Sequence, residues 1–236
     1  MRGLVLAAGR GARMRPLTDV VPKPLLPIDG VPALTRVLEL LAQAGCLDVS
    51  VVVGYKAEAV MRLAGDGSAQ GVRVSYVRQE PQLGSGHAVA AGMDGMDWPT
   101  LTIAADIVLP EAELHRFVDA FRHTDAEAIV AVEAVTGPGG NEAVVSNGRM
   151  LRVMADEATG LVVAPVYGLR PSVKPYLEKL VPAPSGALQL ADALQSMIDD
   201  GLPVEALELR GIRHLTTPVD VLKENFAYLR PYLTQG

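Results

Sequence analysis

The residues best suited to chemistry lie in a glycine-rich segment near the amino end of a chain of 236 residues. An apolar run ends at Ala7, the sequence AGRG follows at 8–11, and Arg13 comes two residues later. Small residues after a buried strand let a ligand approach the backbone, and consecutive free amide groups can bind phosphate oxygens. Because position 14 is methionine and no Gly-Lys-Ser/Thr follows, the segment is neither a dinucleotide-binding G-x-G-x-x-G motif nor a P-loop.

A second cationic group follows ten residues after Arg13. Lys23 lies between Pro22 and Pro24, so it stands on a stiffened loop and loses less entropy when it binds an anion. Together the two features indicate a phosphate-binding site. The simpler interpretation of the glycine-rich segment alone is a strand-to-loop turn with solvated arginines.

Charge and composition narrow the class of protein. The chain has 21 Lys and Arg against 27 Asp and Glu, a net charge of −6, which argues against sequence-independent nucleic-acid binding. Residues 1–24 carry five basic residues and one acid, about +4, which favours a small anionic ligand there. Cys46 is the only cysteine, so no internal disulfide can form. No apolar run approaches the ~20 residues of a membrane span, and we expect a cytoplasmic protein.

Strand patterns alternate with helix patterns along the chain. This rhythm predicts one α/β domain whose largely parallel sheet is covered by helices. The predicted strands are 2–7, 48–53, 72–77, 100–104, 128–132, 161–169 and 204–209, and the predicted helices start after Pro32 and cover 56–64, 86–92, 110–123 and 190–200.

Other segments predict connections and a terminal helix. Five prolines between residues 9 and 32 predict a semi-rigid extended loop. A loop is predicted at 137–140, and Asn147-Gly148 predicts a hairpin turn. Near the end, Thr217 and Asp220 predict a capped helix. One face of that helix would carry Val219, Leu222, Phe226 and Leu229.

Three blocks of sequence resemble a known family. The run 6–18, followed by Pro22-Lys23-Pro24-Leu25, resembles the signature of the sugar-phosphate nucleotidylyltransferases, which make nucleotide sugars. The run 79–89 (QEPQLGSGHAV) is similar to the base-recognition segment of uridylyltransferases acting on N-acetylglucosamine 1-phosphate, and the motifs are also close to those of glucose-1-phosphate thymidylyltransferases. The strand end IAAD at 103–106 resembles the block that carries the family's metal-binding aspartate.

The resemblance implies a fold and a reaction. The fold would be a Rossmann-like nucleotide-diphospho-sugar transferase fold with a mixed, mostly parallel central sheet flanked by helices. One domain would cover 1–236, with a nucleotide-binding half at 1–125 and an acceptor-binding half at 126–236. The enzyme would be a Mg²⁺-dependent nucleotidyltransferase that joins a nucleoside triphosphate, UTP or dTTP in preference, to a phosphorylated acceptor and releases pyrophosphate.

The resemblance also implies roles for individual residues. Arg13 and Lys23 would be catalytic, and Asp106 would bind the metal unless it only caps a turn before Pro110. Gln79 would form hydrogen bonds with the edge of the base, and the alternative interpretation is a solvated loop amide. His87 is more simply interpreted as a structural histidine than as a catalytic one. The implied nucleotide-binding residues are Leu6, Ala7, Ala8, Gly9, Gly11, Gln79, Gly84 and Ser85.

The second half of the chain departs from the family pattern. Where the family usually has a glycine, a glutamate and an asparagine that contact the sugar, this sequence has Ala143, Ala155 and Val163. These replacements suggest an acceptor such as a cyclitol phosphate, a heptose phosphate or a phosphonate. Where the family has its second metal-binding aspartate, this sequence has His214, which is a candidate metal ligand. The alternative is that His214 is only a packing residue before the Thr217 cap. The alternative function is that of a catalytically silent regulatory homologue that binds a nucleotide sugar. The chain could also form a homo-oligomer.

Overall fold

A nine-stranded sheet is the framework of the protein. The computed structural model describes residues 1–135, 140–226 and 228. The strands are β1 (Arg2–Ala7), β2 (Pro27–Ile28), β3 (Val31–Pro32), β4 (Asp48–Val53), β5 (Arg73–Arg78), β6 (Thr100–Ala104), β7 (Ile107–Val108), β8 (Ala128–Ala134), β9 (Val144–Ser146), β10 (Arg149–Arg152), β11 (Leu161–Leu169), β12 (Val204–Glu208) and β13 (Arg213–His214). The helices are α1 (Leu17–Val20), α2 (Ala33–Gln43), α3 (Ala57–Ala64), α4 (Ser85–Gly92), α5 (Glu111–His123), α6 (Lys174–Glu178), α7 (Leu190–Asp199) and α8 (Pro218–Asn225).

The strand order confirms a mixed, mostly parallel sheet. The order is β5-β4-β1-β6-β11-β8-β12-β10-β9. Strands β5, β4, β1 and β6 are parallel to one another, as are β8 and β12. Strand β11 is antiparallel to both of its neighbours, β6 and β8, and β10 is antiparallel to β12 and β9. Seven of the nine strands therefore run in one direction, and only β10 and β11 run in the other.

Helices cover both faces of this sheet, as predicted. Successive residues of a strand point to opposite faces. Val5 of β1 accordingly packs in a core with α2 and α5, whereas Leu4 packs in a second core with α4 and α7. Both residues are fully buried. Burial on two faces explains why β1 is an apolar run without polar alternation.

The segment 9–32 is more compact than the predicted extended loop. It forms a 3₁₀ turn at Ala12–Met14, helix α1, a second 3₁₀ turn at Lys23–Leu25 and the small β2–β3 hairpin. Proline has a backbone φ that suits the first turn of a helix, and Pro16 and Pro24 stand at or just inside such starts. The prolines therefore begin short helical turns here instead of preventing them.

The terminal helix α8 has the predicted cap but not a buried apolar face. Thr217 and Asp220 form the capping box. Val219, Leu222 and Phe226 are 39%, 41% and 43% exposed, and Phe226 lies beyond the helix end. Leu229 and residues 137–139 of the predicted loop lie outside the described residues. The Asn147-Gly148 turn joins β9 to β10 with positive φ at both residues, as predicted. In the described part of the chain no helix is both long and apolar enough to cross a membrane.

The tight packing of α5 on the sheet gives a stability prediction. A Cβ at Gly168 of β11 would lie 2.5 Å from Cγ of Phe121 and 2.6 Å from Cγ2 of Ile129. We expect Gly168→Ala to lower the free energy of unfolding by about 1 to 3 kcal/mol, measured by urea denaturation. Gly9→Ala is the matched control, because a Cβ there meets no atom within 4 Å. Equal stability of the two variants would contradict the described packing.

Candidate functional site

Two adjoining cavities open at the carboxyl end of β1. The first, of about 330 Å³, is lined by Arg13, Lys23 and Asp106 among other residues. The second, of about 730 Å³, is lined by Gln79, Ser85 and residues of β11 among others. Leu6 and Gly9 line both cavities, so the two share a wall. The predicted site residues that line one or both cavities are Leu6, Ala7, Ala8, Gly9, Gly11, Arg13, Lys23, Gln79, Gly84, Ser85 and Asp106.

The sheet topology explains this convergence. Strand β1 lies between β4 and β6, and the three strands are parallel. Their carboxyl ends therefore meet at one edge, which is where open α/β sheets bind ligands. The glycine-rich segment follows β1, Tyr55 and Lys56 follow β4, and Asp106 follows β6.

An ion pair between Lys23 and Asp106 crosses the first cavity. Their side chains are 17% and 26% exposed, and Lys23 Nζ contacts Asp106 Oδ2. Gly11 makes room for the lysine, because a Cβ at Gly11 would lie 3.3 Å from Cβ of Lys23. Gly11 also has a φ of +61°, in the left-handed region that favours glycine. The predicted cation and the predicted metal ligand are thus direct neighbours.

Arg13 lies at the mouth of the same cavity. Among the described residues none pairs with its exposed guanidinium. The next residue, Met14, is fully buried in a small cluster with Leu26, Ile28 and Leu215. The methionine that excludes a dinucleotide-binding motif therefore anchors the turn from which Arg13 projects, and leaves that guanidinium available to an anion.

Two residues that sequence reasoning missed hold this loop. Tyr55 Oη donates a hydrogen bond to the carbonyl oxygen of Thr18 at 3.0 Å. Lys56 Nζ donates to the carbonyl oxygens of Asp19 and Val20 at 2.6 and 2.7 Å, at the end of α1. The available signal was their position directly after β4, which ends at the same edge as β1.

Gln79 is buried, not a solvated loop amide. Its side chain is 3% exposed, and Nε2 donates to the carbonyl oxygen of Gly84 at 2.8 Å and contacts Nδ1 of His87 at 3.1 Å. Ser85 Oγ accepts a hydrogen bond from the backbone N–H of Leu190 at 3.1 Å, which ties the segment to the start of α7. The predicted base-reading glutamine is therefore rigidly placed in the wall of the second cavity.

His214 does not line the cavity that contains Asp106. Its Nε2 lies 2.5 Å from Oε1 of Glu133 on β8, and His214 lines neither cavity. In the β13–β7 pair His214 is opposite Ile107, so its side chain is on the Ile107 side of that ribbon. Asp220 accepts hydrogen bonds from the N–H groups of Thr216 and Thr217, so its carboxylate is engaged in the cap of α8. Within residues 1–135, 140–226 and 228 no three His, Cys, Asp or Glu side chains form a metal-binding group.

The far wall of the second cavity comes from β11. Pro165 and Tyr167 line it, and burial raises the pKa of the Tyr167 phenol to about 12, so this group stays protonated at neutral pH. The divergent positions Ala143, Ala155 and Val163 line neither of the two cavities described here. Tyr167 is a further polar group that sequence reasoning did not select.

Comparisons with known proteins agree with this geometry. A family model described as nucleotidyl transferase matches residues 2–212. The low-salt glycan biosynthesis nucleotidyltransferase of Haloferax volcanii is 31% identical over 95% of this chain and 65% of its own length. A UTP–glucose-1-phosphate uridylyltransferase of the same organism is 30% identical over 90% of each chain. A solved UDP-glucose pyrophosphorylase in complex with UDP-glucose superposes with a TM-score of 0.83 at 21% identity, covering 98% of both chains.

Several of these relatives are longer proteins. The chain spans between 56% and 65% of the length of three curated relatives that it matches. The structural likeness, at 21% identity, shows the fold.

The contacts of Lys56 generate a prediction about the loop. Lys56→Met removes two solvent-exposed hydrogen bonds from a charged donor, which together contribute about 1.4 kcal/mol, less than the same bonds would contribute in a buried site. We expect the amide of Val21, which donates to Leu17 at the end of α1, to exchange hydrogen about tenfold faster by mass spectrometry. Lys179→Met is the matched control, because Lys56 Nζ lies 5.5 Å from the ring centroid of Tyr55 and Lys179 Nζ lies 5.9 Å from that of Tyr176. Unchanged exchange in Lys56→Met would show that Lys56 does not hold the loop.

Proposed function

The chain belongs to the nucleotidyl transferase family, and on that basis we propose that it joins a nucleoside triphosphate to a phosphorylated small molecule and releases pyrophosphate. The observation that carries the proposal is the first cavity, where Arg13, Lys23 and Asp106 meet at the carboxyl ends of parallel strands. The names of relatives that use UTP or thymidylyl donors with glucose 1-phosphate support this class of substrates.

The reaction places specific demands on such a site. An oxygen of the acceptor phosphate attacks the α-phosphorus, a new P–O bond forms, and the bond to the bridging oxygen breaks as pyrophosphate leaves. The attacking phosphate is already ionised at neutral pH, so no general base is needed. Two polyanions must meet in line, and the protein contributes by positioning them and neutralising their charge.

The residues of the first cavity suit those demands. Arg13, whose guanidinium has no partner in the part of the chain that the structure describes, can hold triphosphate oxygens with two parallel hydrogen bonds. The backbone around Gly9 and Gly11 leaves space for phosphate oxygens to approach. Lys23 supplies a point charge beside the α-phosphate or the incoming phosphate. In that role Lys23 exchanges Asp106 for phosphate oxygens as its partner.

Asp106 fits a magnesium ligand of the kind that phosphate substrates need. Mg²⁺ prefers oxygen donors and is commonly held by one or two carboxylates together with substrate phosphates. The Asp106 carboxylate is partly exposed in the first cavity, whereas His214 is engaged with Glu133. When bound, Mg²⁺ would neutralise charge on the phosphate oxygens. We place it on Asp106 and not on His214.

The second cavity suits the base and the acceptor. Gln79 offers an amide to a uracil or thymine edge, which supports UTP or dTTP as donor. The acceptor would lie toward Pro165 and Tyr167 of β11, which line the same cavity. The positions where the family's usual sugar-contacting residues are replaced lie outside this lining. We therefore keep a cyclitol phosphate, a heptose phosphate and a phosphonate beside sugar 1-phosphates as acceptor classes.

Pyrophosphate release tests the proposed reaction. The full chain is incubated with Mg²⁺ and each pairing of UTP, dTTP, CTP or GTP with phosphorylated sugars, cyclitols, heptoses and phosphonates. Release with at least one pairing is expected. Nucleotide binding without release for any pairing would instead favour a silent, nucleotide-binding homologue, which no observation here supports.

Variants in the same assay test the roles of the two cations. Arg13→Ala and Lys23→Ala should each lower kcat/KM by about 100-fold or more, because a preorganised charge at a phosphoryl site contributes a few kcal/mol. Arg15→Ala is the matched control, since Arg15 pairs with Asp19 on the exposed side of the loop and should leave activity within about twofold. Full activity of Lys23→Ala would refute the charge-neutralising role.

Metal titration tests the place of Asp106. With one protein carboxylate, Mg²⁺ should bind the nucleotide-free protein with a dissociation constant above about 1 mM and bind much more tightly with nucleotide present. Asp106→Asn should remove that tightening, whereas His214→Asn should leave it in place. Tight binding without nucleotide, or its loss in His214→Asn, would reveal a second protein ligand.

A further inference from the structure

A segment late in the chain contacts the surroundings of all three key residues of the first cavity. This terminal segment comprises residues 215–225 and includes α8. The backbone N–H of Leu215 donates a hydrogen bond to the carbonyl oxygen of Asp106 at 3.0 Å, and the next residue, Thr216, lines the first cavity. The terminal segment therefore contacts the candidate metal ligand directly.

The side chains of the terminal segment also support the turn that carries Arg13. Leu215 is fully buried in a cluster with Met14, and Val221 of α8 packs against that cluster. The N–H of Met14 donates to the carbonyl oxygen of Gly11 at 2.9 Å, which closes the turn around Arg13. Met14 thus closes the turn through its backbone and packs on the terminal segment through its side chain.

The turn that begins at Lys23 is supported in the same way. The N–H of Leu26 donates to the carbonyl oxygen of Lys23 at 3.1 Å, and the buried Leu26 side chain belongs to the same cluster as Leu215. At the end of α8, Asn225 Nδ2 donates to the carbonyl oxygen of the next loop residue, Pro27, at 2.7 Å. Both cations therefore project from turns whose closing residues pack on one element that is distant in sequence.

Polar contacts hold the terminal segment in place. Asp220 accepts hydrogen bonds from the N–H groups of Thr216 and Thr217 at 2.9 and 2.7 Å. Arg213 Nε, from the adjoining strand β13, pairs with the buried carboxylate of Glu224 on α8 at 3.1 Å. These contacts fix the helix against the residues that precede it, so the apolar side of α8 forms a firm support for the two turns.

We propose that the terminal segment positions the two cations, and that Leu215 and Val221 are its positioning residues. This inference rests on the proposed function, in which Arg13 and Lys23 neutralise phosphate charge. Neither Leu215 nor Val221 lines the first or the second cavity, so both act through the turns that they support. A shift of about 1 Å in a group that contacts substrate can cost about 100-fold in rate. Packing behind the two turns therefore contributes to turnover as well as to stability.

Two alanine variants of α8 test the proposal. Val221→Ala removes two methyl groups from behind the turns, whereas Val219→Ala removes the same groups from a side chain that is 39% exposed and outside the cluster. In the pyrophosphate assay we expect kcat/KM to fall about tenfold in Val221→Ala and to stay within about twofold in Val219→Ala. Val221→Ile keeps the contact and should retain activity. A merely structural valine would lower the urea midpoint of Val221→Ala and leave kcat/KM of the folded protein unchanged, which would overturn the proposal.

Hydrogen exchange gives a readout that does not depend on activity. The amides of Met14 and Leu26, followed by mass spectrometry, should exchange at least about threefold faster in Val221→Ala than in Val219→Ala, because each amide closes one of the turns. Asn225→Ala removes an exposed hydrogen bond without emptying the core, so it provides the same test if Val221→Ala fails to fold. It should accelerate exchange at Leu26, which precedes the bonded Pro27.

Unchanged exchange at both turns would overturn the inference even if nucleotidyl transfer is observed. If the unaltered protein released no pyrophosphate with any pairing, the proposed function would fail. The exchange rates would then still decide whether the terminal segment holds the two turns.

Discussion

The Lys23–Asp106 ion pair is the contact on which the arrangement of the first cavity depends. It joins a loop that follows β1 to Asp106, two residues after the end of β6, so two strand ends are linked through charge as well as through the sheet. Both side chains are mostly buried, and a charge that loses its partner in such a place is costly. Gly11, which has no side chain, and the buried Met14 keep the loop where Lys23 can reach Asp106. The proposed metal–triphosphate complex would suit this pair, because it would offer oxygen anions to the lysine and a cation to the carboxylate.

The fold was predictable wherever burial on both faces imposes a pattern on the sequence. Strands β4, β6 and β11 occupy the predicted residues because each is a continuous apolar or alternating run bounded by turn residues. The segment 9–32 was less predictable, since a proline excludes the helix interior but also favours the first helical turn. The division of the chain near residue 125 stays a prediction.

The candidate site was predictable in its chemistry but not in its contacts. Arg13, Lys23 and Asp106 were chosen by residue type and resemblance, and they line one cavity. The attachment of Lys56 to the end of α1, by contrast, joins residues 36 and 37 positions apart and depends on how the loop folds back. The direction of His214 likewise follows from the register of a two-residue strand, which no local pattern specifies.

The hydrogen bond from Leu190 to Ser85 has a mechanical consequence for the wall of the second cavity. Ser85 lines that cavity beside Gln79, whereas Leu190 begins α7, a helix from the later part of the chain that packs in the same core as α4. A displacement of α7 therefore pulls directly on the wall that holds Gln79. By thermodynamic reciprocity, a ligand that stiffens this wall also restricts α7.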